Sequence, residues 1–266
     1  MKGAEMKSRY YRLFKEDGRA LILAFDHGGS GDIWVDPAKV IKGAAEGGMD
    51  GILTNYGVLT HFRKEIGRMG TLLRMEVIGS GLVKYNPILE RPMQSPYTVE
   101  DCLRLGVDGI MTMGIIGAEF DTANLKYIAG IVAACNQYGL ITAAEMLPNG
   151  FSSKEEDRSL KAMNIACRAG AEIGVDIVKT AFIKPVEDFK KIVANCYADV
   201  LALGGAKVDD DRQVLENAKQ AMDAGCKGLV IGRNVWGHRS IAGMAAALHG
   251  IVHENASVEE ALKEIK

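Results

Sequence analysis

The feature that most constrains the fold is a unit that returns along the chain: a helix-like stretch, a glycine-containing turn, and then a short aliphatic run. It is visible in "AAEGGMDGILTN", "LRLGVDGIMTMG", "AEIGVDIVKT" and "DAGCKGLVIG". A glycine at the end of a helical pattern is typical of a helix C-terminus. The runs are nearly continuous in aliphatic residues, which is typical of strands in a parallel sheet covered on both faces.

Runs of this kind occur eight times. The predicted strands are Ala20–Phe25, Gly51–Asn55, Thr71–Met75, Gly109–Met113, Ile141–Glu145, Asp176–Lys179, Val200–Leu203 and Gly228–Ile231. Eight alternating β and α units predict an α/β fold, a (βα)8 TIM barrel that forms a single domain over residues 1–266. The alternative is an open doubly wound sheet, but no G-x-G-x-x-G motif follows the first run.

Helix starts and one long loop fit between these strands. Asp36 precedes Pro37 as an N-cap, and Thr98 begins a capping box. The segment "GSGLVKYNPILERPMQSP" follows the third run and holds three of the six prolines. We therefore expect it to form a long surface loop.

Composition excludes several classes of protein. The chain has 48% hydrophobic and 25% charged residues with a net charge of −2, which gives no sign of a nucleic-acid or membrane partner. The stretch "MKGAEMKSRYYRLFKEDGRA" is charged and lacks an apolar core, so we expect no signal peptide and a cytoplasmic location. Five scattered cysteines without a C-x-x-C pair favour reduced thiols. The histidines show no ligand spacing, and we expect neither metal nor cofactor.

Polar residues collect where the predicted strands end. Active sites of (βα)8 barrels lie at the carboxyl ends of the strands, so these residues are the candidates for catalysis and binding. They are Asp26, His27, Asn55, Tyr56, Glu145, Lys179, the "GGAK" of Gly204–Lys207 and the "GRN" of Gly232–Asn234.

Glycine-rich turns follow the seventh and eighth strands, where barrels of this kind hold phosphate. Without a Cβ at Gly204, Gly205 and Gly232, backbone N–H groups can approach an anion. Arg233 can then pair with phosphate oxygens. The alternative is that these glycines only permit tight turns.

Lys179 is the only lysine within the eight runs, and it is expected to lie across the barrel from Asp26 and Glu145. Burial penalises an ammonium ion, so a desolvated lysine can present a neutral amine that attacks a ketone and forms a Schiff base. The protonated imine withdraws electrons and makes cleavage of a nearby C–C bond feasible, which is class I aldolase chemistry. The alternatives are an ion pair with one of the two acids, or a side chain that reaches solvent.

The blocks "LILAFDHGG", "AAEMLPNG", "GVDIVKTAF", "ALGGAK" and "GCKGLVIGRNVW" resemble those of the DhnA-type class I aldolases of the DeoC/LacD superfamily, which include the archaeal-type fructose-bisphosphate aldolases. The resemblance implies a barrel, a Schiff-base lysine at Lys179 and an aspartate at Asp26 that assists proton transfer. It also implies a phosphate site at Gly204, Gly205, Gly232 and Arg233, and a homo-oligomer, often a decamer.

The chain departs from that family at the fifth strand. Archaeal-type fructose-bisphosphate aldolases have a pattern similar to W-x-Y-P-R-G there, whereas this chain reads "EMLPNG". Leu147 replaces the tyrosine that moves protons, and Asn149 replaces the arginine. The related tagatose-bisphosphate and sulfofructose-phosphate aldolases have a glutamate at this strand end, so Glu145 resembles a replacement acid/base. Glu145 could instead be only an ion-pair partner of Lys179.

The hypothesis is a class I aldolase that acts on a phosphorylated ketose or dihydroxyacetone phosphate. Lys179 forms the imine, Asp26 and Glu145 move protons, and His27 contacts a substrate hydroxyl or supports its neighbours. Two alternatives remain on the same scaffold, a transaldolase-like synthase and a thiolase-like enzyme. A third is a sugar-phosphate-binding protein without catalytic activity.

Overall fold

The strands of this protein close into a barrel. The computed structural model describes residues 7–27, 34–77 and 95–265. Each strand pairs in parallel with the next one in sequence, and the last pairs with the first. The strands are β1 (Ala20–Phe25), β2 (Gly51–Thr54), β3 (Gly70–Arg74), β4 (Gly109–Ile116), β5 (Ile141–Pro148), β6 (Ile177–Ala181), β7 (Asp199–Leu203) and β8 (Gly228–Ile231). The predicted (βα)8 barrel is confirmed, and the open sheet is excluded.

Helices alternate with these strands. They are α1 (Tyr10–Leu13), α2 (Pro37–Glu46), α3 (Tyr56–His61), α4 (Arg63–Ile66), α5 (Val99–Leu105), α6 (Asp121–Asn136), α7 (Leu160–Glu172), α8 (Val186–Asn195), α9 (Asp211–Asp223), α10 (Arg233–Trp236), α11 (Ile241–His253) and α12 (Val258–Ala261). Both predicted helix starts are confirmed. Asp36 accepts a hydrogen bond from the N–H of Ala38, and Thr98 forms a reciprocal capping box with Asp101.

Some strand boundaries differ from the prediction. β4 and β5 end at Ile116 and Pro148 because they stay paired in register over their whole length. β6 continues to Ala181, so Lys179 lies inside the strand and is not its last residue. The predicted long loop after β3 falls almost entirely on residues 78–94, which lie outside the described residues.

Side-chain alternation divides the core into two layers. Ile22, Leu72 and Ile177 belong to a cluster inside the barrel, while Leu23 and Val178 belong to a larger cluster between the barrel wall and the helices. Successive strand residues point to opposite faces. The inner row of each strand therefore continues upward into the residues that line the carboxyl end of the barrel.

Aspartates at the starts of the even-numbered strands tie neighbouring strands together at the opposite end. Asp50 accepts a hydrogen bond from the N–H of Leu21 over 2.6 Å. Asp108 and Asp176 accept the N–H groups of Thr71 and Thr142 in the same way, over 2.8 Å each. These carboxylates satisfy backbone donors where the strands begin.

Residues 7–15, the N-terminal segment, close this lower end of the barrel. Tyr10, Leu13 and Phe14 are buried with the inner-barrel cluster. Four polar side chains of the segment each meet a different strand-start aspartate: Lys7 with Asp176 (2.6 Å), Tyr10 with Asp199 (2.9 Å), Arg12 with Asp108 (3.5 Å) and Lys15 with Asp50 (3.5 Å). The segment is a plug that seals one end and leaves the other for function.

The five cysteines are buried and form no disulfide. Among residues 7–27, 34–77 and 95–265, no helix is long and apolar enough to cross a membrane.

Candidate active site

Four charged side chains meet inside the carboxyl end of the barrel. Asp26, Arg74, Glu145 and Lys179 continue the inward-facing rows of β1, β3, β5 and β6. They are 3%, 1%, 7% and 4% exposed, so their charges depend on one another for compensation. Sequence analysis predicted three of the four and missed Arg74.

Lys179 and Glu145 form the central ion pair of this group. The Lys179 Nζ donates a hydrogen bond to Glu145 Oε2 over 2.8 Å. The two residues are register partners on adjacent strands, since β5 pairs with β6 at these positions. The expectation that Glu145 lies across the barrel from Lys179 is therefore wrong, because their side chains rise next to each other.

Arg74 connects this pair to Asp26. Its Nη2 donates to Glu145 Oε2 over 2.8 Å, and its Nε donates to Asp26 Oδ2 over 2.9 Å. The guanidinium also lies over the Phe151 ring, with 5.4 Å between Cζ and the centroid. An arginine in the inward row of an otherwise aliphatic strand was the signal for this residue in the sequence.

Electrostatics keep both carboxyl groups ionised. Burial raises the pKa of Asp26, but the charge of Arg74 and a hydrogen bond from His27 outweigh it and hold that pKa far below its ordinary value. Burial likewise raises the pKa of Glu145, but the charges and hydrogen bonds of Lys179 and Arg74 outweigh it and hold that pKa below its usual range. The two carboxylates are thus each in contact with at least one basic side chain.

His27 extends the group toward solvent. Its Nδ1 lies 3.0 Å from Asp26 Oδ1, and its side chain is 38% exposed. The geometry fits the expected role of support for Asp26. The expected contact of His27 with a substrate hydroxyl stays a prediction.

Glu76 is a further buried acid that sequence analysis missed. It accepts hydrogen bonds from the Thr112 hydroxyl and, over 3.1 Å, from the N–H of Met113. Its Oε2 lies 3.9 Å from Arg74 Nη1. Burial raises the pKa of Glu76 against the influence of Arg74, so this carboxyl binds a proton more readily than its neighbours.

The predicted phosphate loops lie at the same end of the barrel. Gly205 follows β7 with a φ of +67°, a conformation that favours glycine. A Cβ at Gly232 would come within 2.4 Å of the Ala24 carbonyl oxygen. The exposed Arg233 donates to the carbonyl of Gly205 over 2.9 Å, so it ties the β8 loop to the β7 loop.

Asn234 holds the β7 loop in place, and sequence analysis had assigned it no role of its own. Its side-chain amide donates to the carbonyl groups of Gly204 (2.9 Å) and Ala206 (3.0 Å), and its oxygen accepts the N–H of Val208 over 2.8 Å. Three bonds from one buried side chain give the glycine loop a defined shape.

The departures at β5 have visible structural consequences. Leu147 is buried within the strand and offers no proton-transfer group. Asn149 adopts a left-handed conformation (φ 56°) and donates its N–H to Ile116 over 2.9 Å, a position that suits asparagine. Tyr56, another candidate proton donor, stacks on Tyr97 with ring centroids 5.2 Å apart.

Histidines away from the mouth have structural contacts. His238 lies between the Ser240 carbonyl and Asp211, and His253 bridges Asp17 and Asp50. No group of three or more His, Cys, Asp or Glu side chains is placed to hold a metal ion in the described parts of the chain.

Comparison with known proteins shows the family of this chain. Residues 20–238 match the model of the DeoC/LacD family of aldolases. The chain belongs to the DeoC/LacD aldolase family. This confirms the resemblance seen in the sequence and makes the protein an enzyme, which removes the binding protein without activity from consideration.

Two proteins that resemble this chain differ in the reactions for which they are named. The chain is 31% identical to a 3-hydroxy-5-phosphonooxypentane-2,4-dione thiolase of Enterobacter sp., over 97% of this chain and 84% of the relative. It is 28% identical to a 2-amino-3,7-dideoxy-D-threo-hept-6-ulosonate synthase of Halobacterium salinarum, over 98% and 97% of the two chains.

A solved structure shares the fold. It is described as a Schiff base forming fructose-1,6-bisphosphate aldolase, with a TM-score of 0.82 and 23% identity over 93% of this chain and all of that one. This member of the DeoC/LacD family therefore has the same barrel architecture as that solved structure.

Proposed function

We propose that this enzyme is a class I aldolase that makes or breaks a C–C bond in a phosphorylated ketose through a Schiff base on Lys179, with dihydroxyacetone phosphate as the donor half. The observation that carries the proposal is the buried contact of 2.8 Å between Lys179 Nζ and Glu145 Oε2 at the carboxyl end of the barrel. A lysine beside an acid that can take its proton is the arrangement that imine formation needs.

Imine formation begins with a proton transfer. Glu145 accepts a proton from the Lys179 ammonium, and the neutral Nζ attacks the ketone carbon to give a carbinolamine. Glu145 then returns the proton to the carbinolamine hydroxyl, which leaves as water, and the nitrogen becomes an iminium ion. The same carboxylate next removes the proton of the substrate hydroxyl next to the scissile bond, and the bonding electrons flow into the iminium.

Asp26 and Arg74 have a supporting part in this mechanism. Asp26 stays ionised because Arg74 and His27 lower its pKa, so its negative charge stabilises the iminium ion. Arg74 holds both acids at fixed positions, because its Nε donates to Asp26 and its Nη2 donates to Glu145. We assign it as a positioning residue because it contacts the two acids and not the reacting amine.

The phosphate of the substrate is proposed to bind at Gly204, Gly205, Gly232 and Arg233. The N–H groups of these loops and the Arg233 guanidinium supply donors for phosphate oxygens. The bond from Arg233 to Gly205 holds the two loops together, so both can contact one anion. The triose-phosphate half of the substrate would then reach Lys179 with its ketone group.

A different reaction at the same lysine is the second candidate. The family relatives are named for synthase and thiolase reactions, and Leu147 and Asn149 depart from the pattern of archaeal-type fructose-bisphosphate aldolases. Mass-spectrometric product analysis with fructose 1,6-bisphosphate, other ketose phosphates and phosphorylated diketones would separate the candidates. If the enzyme cleaves none of the ketose phosphates, the result favours the synthase or thiolase reaction.

Borohydride trapping tests the proposed imine directly. The enzyme is incubated with dihydroxyacetone phosphate and sodium borohydride, and digested peptides are mapped by mass spectrometry. We expect a reduced adduct on Lys179, none in Lys179→Met, and an unchanged adduct in Lys161→Met, which alters an exposed lysine. Folded protein without an adduct on Lys179 would overturn the proposed donor, and activity in Lys179→Met would overturn the mechanism.

Two further expectations belong to this proposal. We propose that the enzyme assembles as a homo-oligomer, with a decamer as the expected form, and that it works in the cytoplasm. Light scattering after size-exclusion chromatography measures the assembly, and a monomer at micromolar concentration would contradict it. Cell fractionation would check the location.

A further inference from the structure

A cavity of about 580 Å³ lies outside the barrel wall, between β7, β8 and helix α9. Its size falls within the range of about 300–1,000 Å³ that is typical of small-molecule sites. Its apolar lining comes from both strands, from α9 and from the β6 and β7 loops: Ala181, Phe182, Ile183, Ala202, Leu203, Val208, Val214, Ala218, Ala221, Leu229 and Ile231.

The cavity is distinct from the proposed imine site. Leu201 and Val230 face the barrel interior, whereas their neighbours Ala202 and Leu229 belong to the outer cluster and line the cavity. Lys179 is not among the lining residues. Gly204 and Gly205 of the β7 loop also line the cavity, so its upper end lies beside the proposed phosphate site, whereas the part between β7, β8 and α9 lies away from Lys179.

Small side chains leave this space open. Ala218 and Ala221 lie one turn apart on α9, both are buried, and both line the cavity together with Ala202 of β7. A larger residue at either helix position would extend into the cavity. The floor is therefore shaped to receive an apolar group from a ligand.

The opening of the cavity carries a small excess of positive charge. Arg158 and Lys184 line it, and Glu155 is the carboxylate beside them. Ser153 holds the Arg158 guanidinium, since Nε donates to its hydroxyl over 3.1 Å and Nη2 donates to its carbonyl over 2.8 Å. Neither cation forms an ion pair with a residue that the structure describes. Gln213 and Asn217 add amide groups at the same opening.

We propose that this cavity is a second ligand site, which binds an amphipathic organic anion. The apolar body of the ligand lies against Ala202, Ala218 and Ala221, and its anionic head lies at Arg158 and Lys184. Ala202, Ala218 and Ala221 are buried, whereas Arg158 is half-buried and Lys184 is exposed. The charged groups therefore lie nearer to solvent than the apolar lining, and a molecule with both characters matches this arrangement. This site does not depend on the reaction at Lys179.

The probe for the test is 8-anilinonaphthalene-1-sulfonate, which joins an aromatic body to one anionic group and fluoresces in apolar surroundings. Titration of the full chain should show one saturable site per chain. Ala221→Leu should weaken binding at least about tenfold because the new side chain fills the cavity. The double variant Arg158→Gln, Lys184→Gln should weaken it about fivefold through loss of charge.

Two matched variants separate this site from other binding. Arg168→Gln removes an exposed arginine that does not line the cavity, and Lys179→Met alters the barrel interior. Both should bind the probe like the wild type. Equal affinity in wild type and Ala221→Leu, or loss of binding in Lys179→Met, would overturn the proposal. If Ala221→Leu misfolds, the double variant Arg158→Gln, Lys184→Gln decides the question, and a probe affinity equal to that of Arg168→Gln would overturn the proposal.

Discussion

Lys179 and Arg74 donate hydrogen bonds to one and the same atom, Oε2 of Glu145, over 2.8 Å each. Two cationic donors on a single oxygen hold the carboxylate in one orientation and stabilise its ionised form. Because Arg74 also donates a hydrogen bond to Asp26, a substitution of this arginine should affect both Asp26 and Glu145.

Arg74→Lys tests this connection. A lysine keeps the charge but cannot span two carboxylates, so we expect kcat/KM to fall about 10- to 100-fold. The hydrogen bond from Arg74 is one of the interactions that lower the Glu145 pKa, so its loss should move the acidic limb of the pH profile to higher pH. Measurement of kcat/KM from pH 5 to 9 checks both effects.

Arg168→Lys is the control for that substitution, because Arg168 pairs with one exposed acid, Glu172. It should leave activity and pH profile unchanged. If Arg74→Lys lowers activity but leaves the acidic limb in place, Arg74 contributes only to the fold.

Glu145→Gln separates proton transfer from charge pairing. The amide can still accept a hydrogen bond from Lys179 but cannot take its proton, so kcat should fall about 10²- to 10³-fold. Imine formation should be slow yet detectable by prolonged borohydride trapping. Glu155→Gln, at an exposed acid, should retain full activity. If the kcat of Glu145→Gln lies within threefold of the wild-type value, Glu145 acts only as an ion-pair partner of Lys179.

Phe14→Ala tests the plug at the lower end. Phe14 is 1% exposed and stacks on Tyr10 with ring centroids 4.2 Å apart. We expect the free energy of unfolding to fall by about 3–5 kcal/mol, measured by urea denaturation followed by circular dichroism. Tyr11→Ala, at a side chain that is 61% exposed, should cost less than about 1 kcal/mol. Equal losses in the two variants would contradict a packed plug.

His253 should make stability depend on pH. Burial lowers its pKa, but hydrogen bonds and charges of Asp50 and Asp17 outweigh this and raise the pKa above 6.5. A raised pKa means that the stabilisation is complete below the pKa of the unfolded chain and is lost as pH rises through the folded value. His253→Gln should therefore destabilise the protein by about 1 kcal/mol more at pH 5.5 than at pH 9.

Urea denaturation at the two pH values measures this difference. His61→Gln changes an exposed histidine that contacts a backbone carbonyl, and it should show no such difference. The prediction fails if His253→Gln destabilises the protein equally at both pH values.

Aliphatic runs and their glycine turns were sufficient to predict the barrel, because each parallel strand is buried on both faces and must be apolar throughout. The same rule located Asp26, Glu145 and Lys179, since polar residues at the ends of such strands stand out. The ends of some strands were predicted less well. β4 and β5 extend beyond their predicted ends, because apolar residues continue past those positions.

The contacts within the site could not be read from the sequence. That Glu145 stands next to Lys179 depends on the register of β5 and β6, which strand pairing across the closed barrel determines. Arg74 escaped notice because a single arginine within an apolar run also fits an edge where the side chain reaches solvent. Its role depends on two acids that are distant in sequence.

The N-terminal segment has a consequence for the order in which the protein folds. The ribosome makes this segment before the strands that it contacts, since Lys7 binds an aspartate 169 residues later in the chain and Tyr10 binds one 189 residues later. These contacts can form only after β6 and β7 have been made. The N-terminal segment is therefore made before the strands that it contacts but reaches its native position only after β7, so it closes the barrel late in folding.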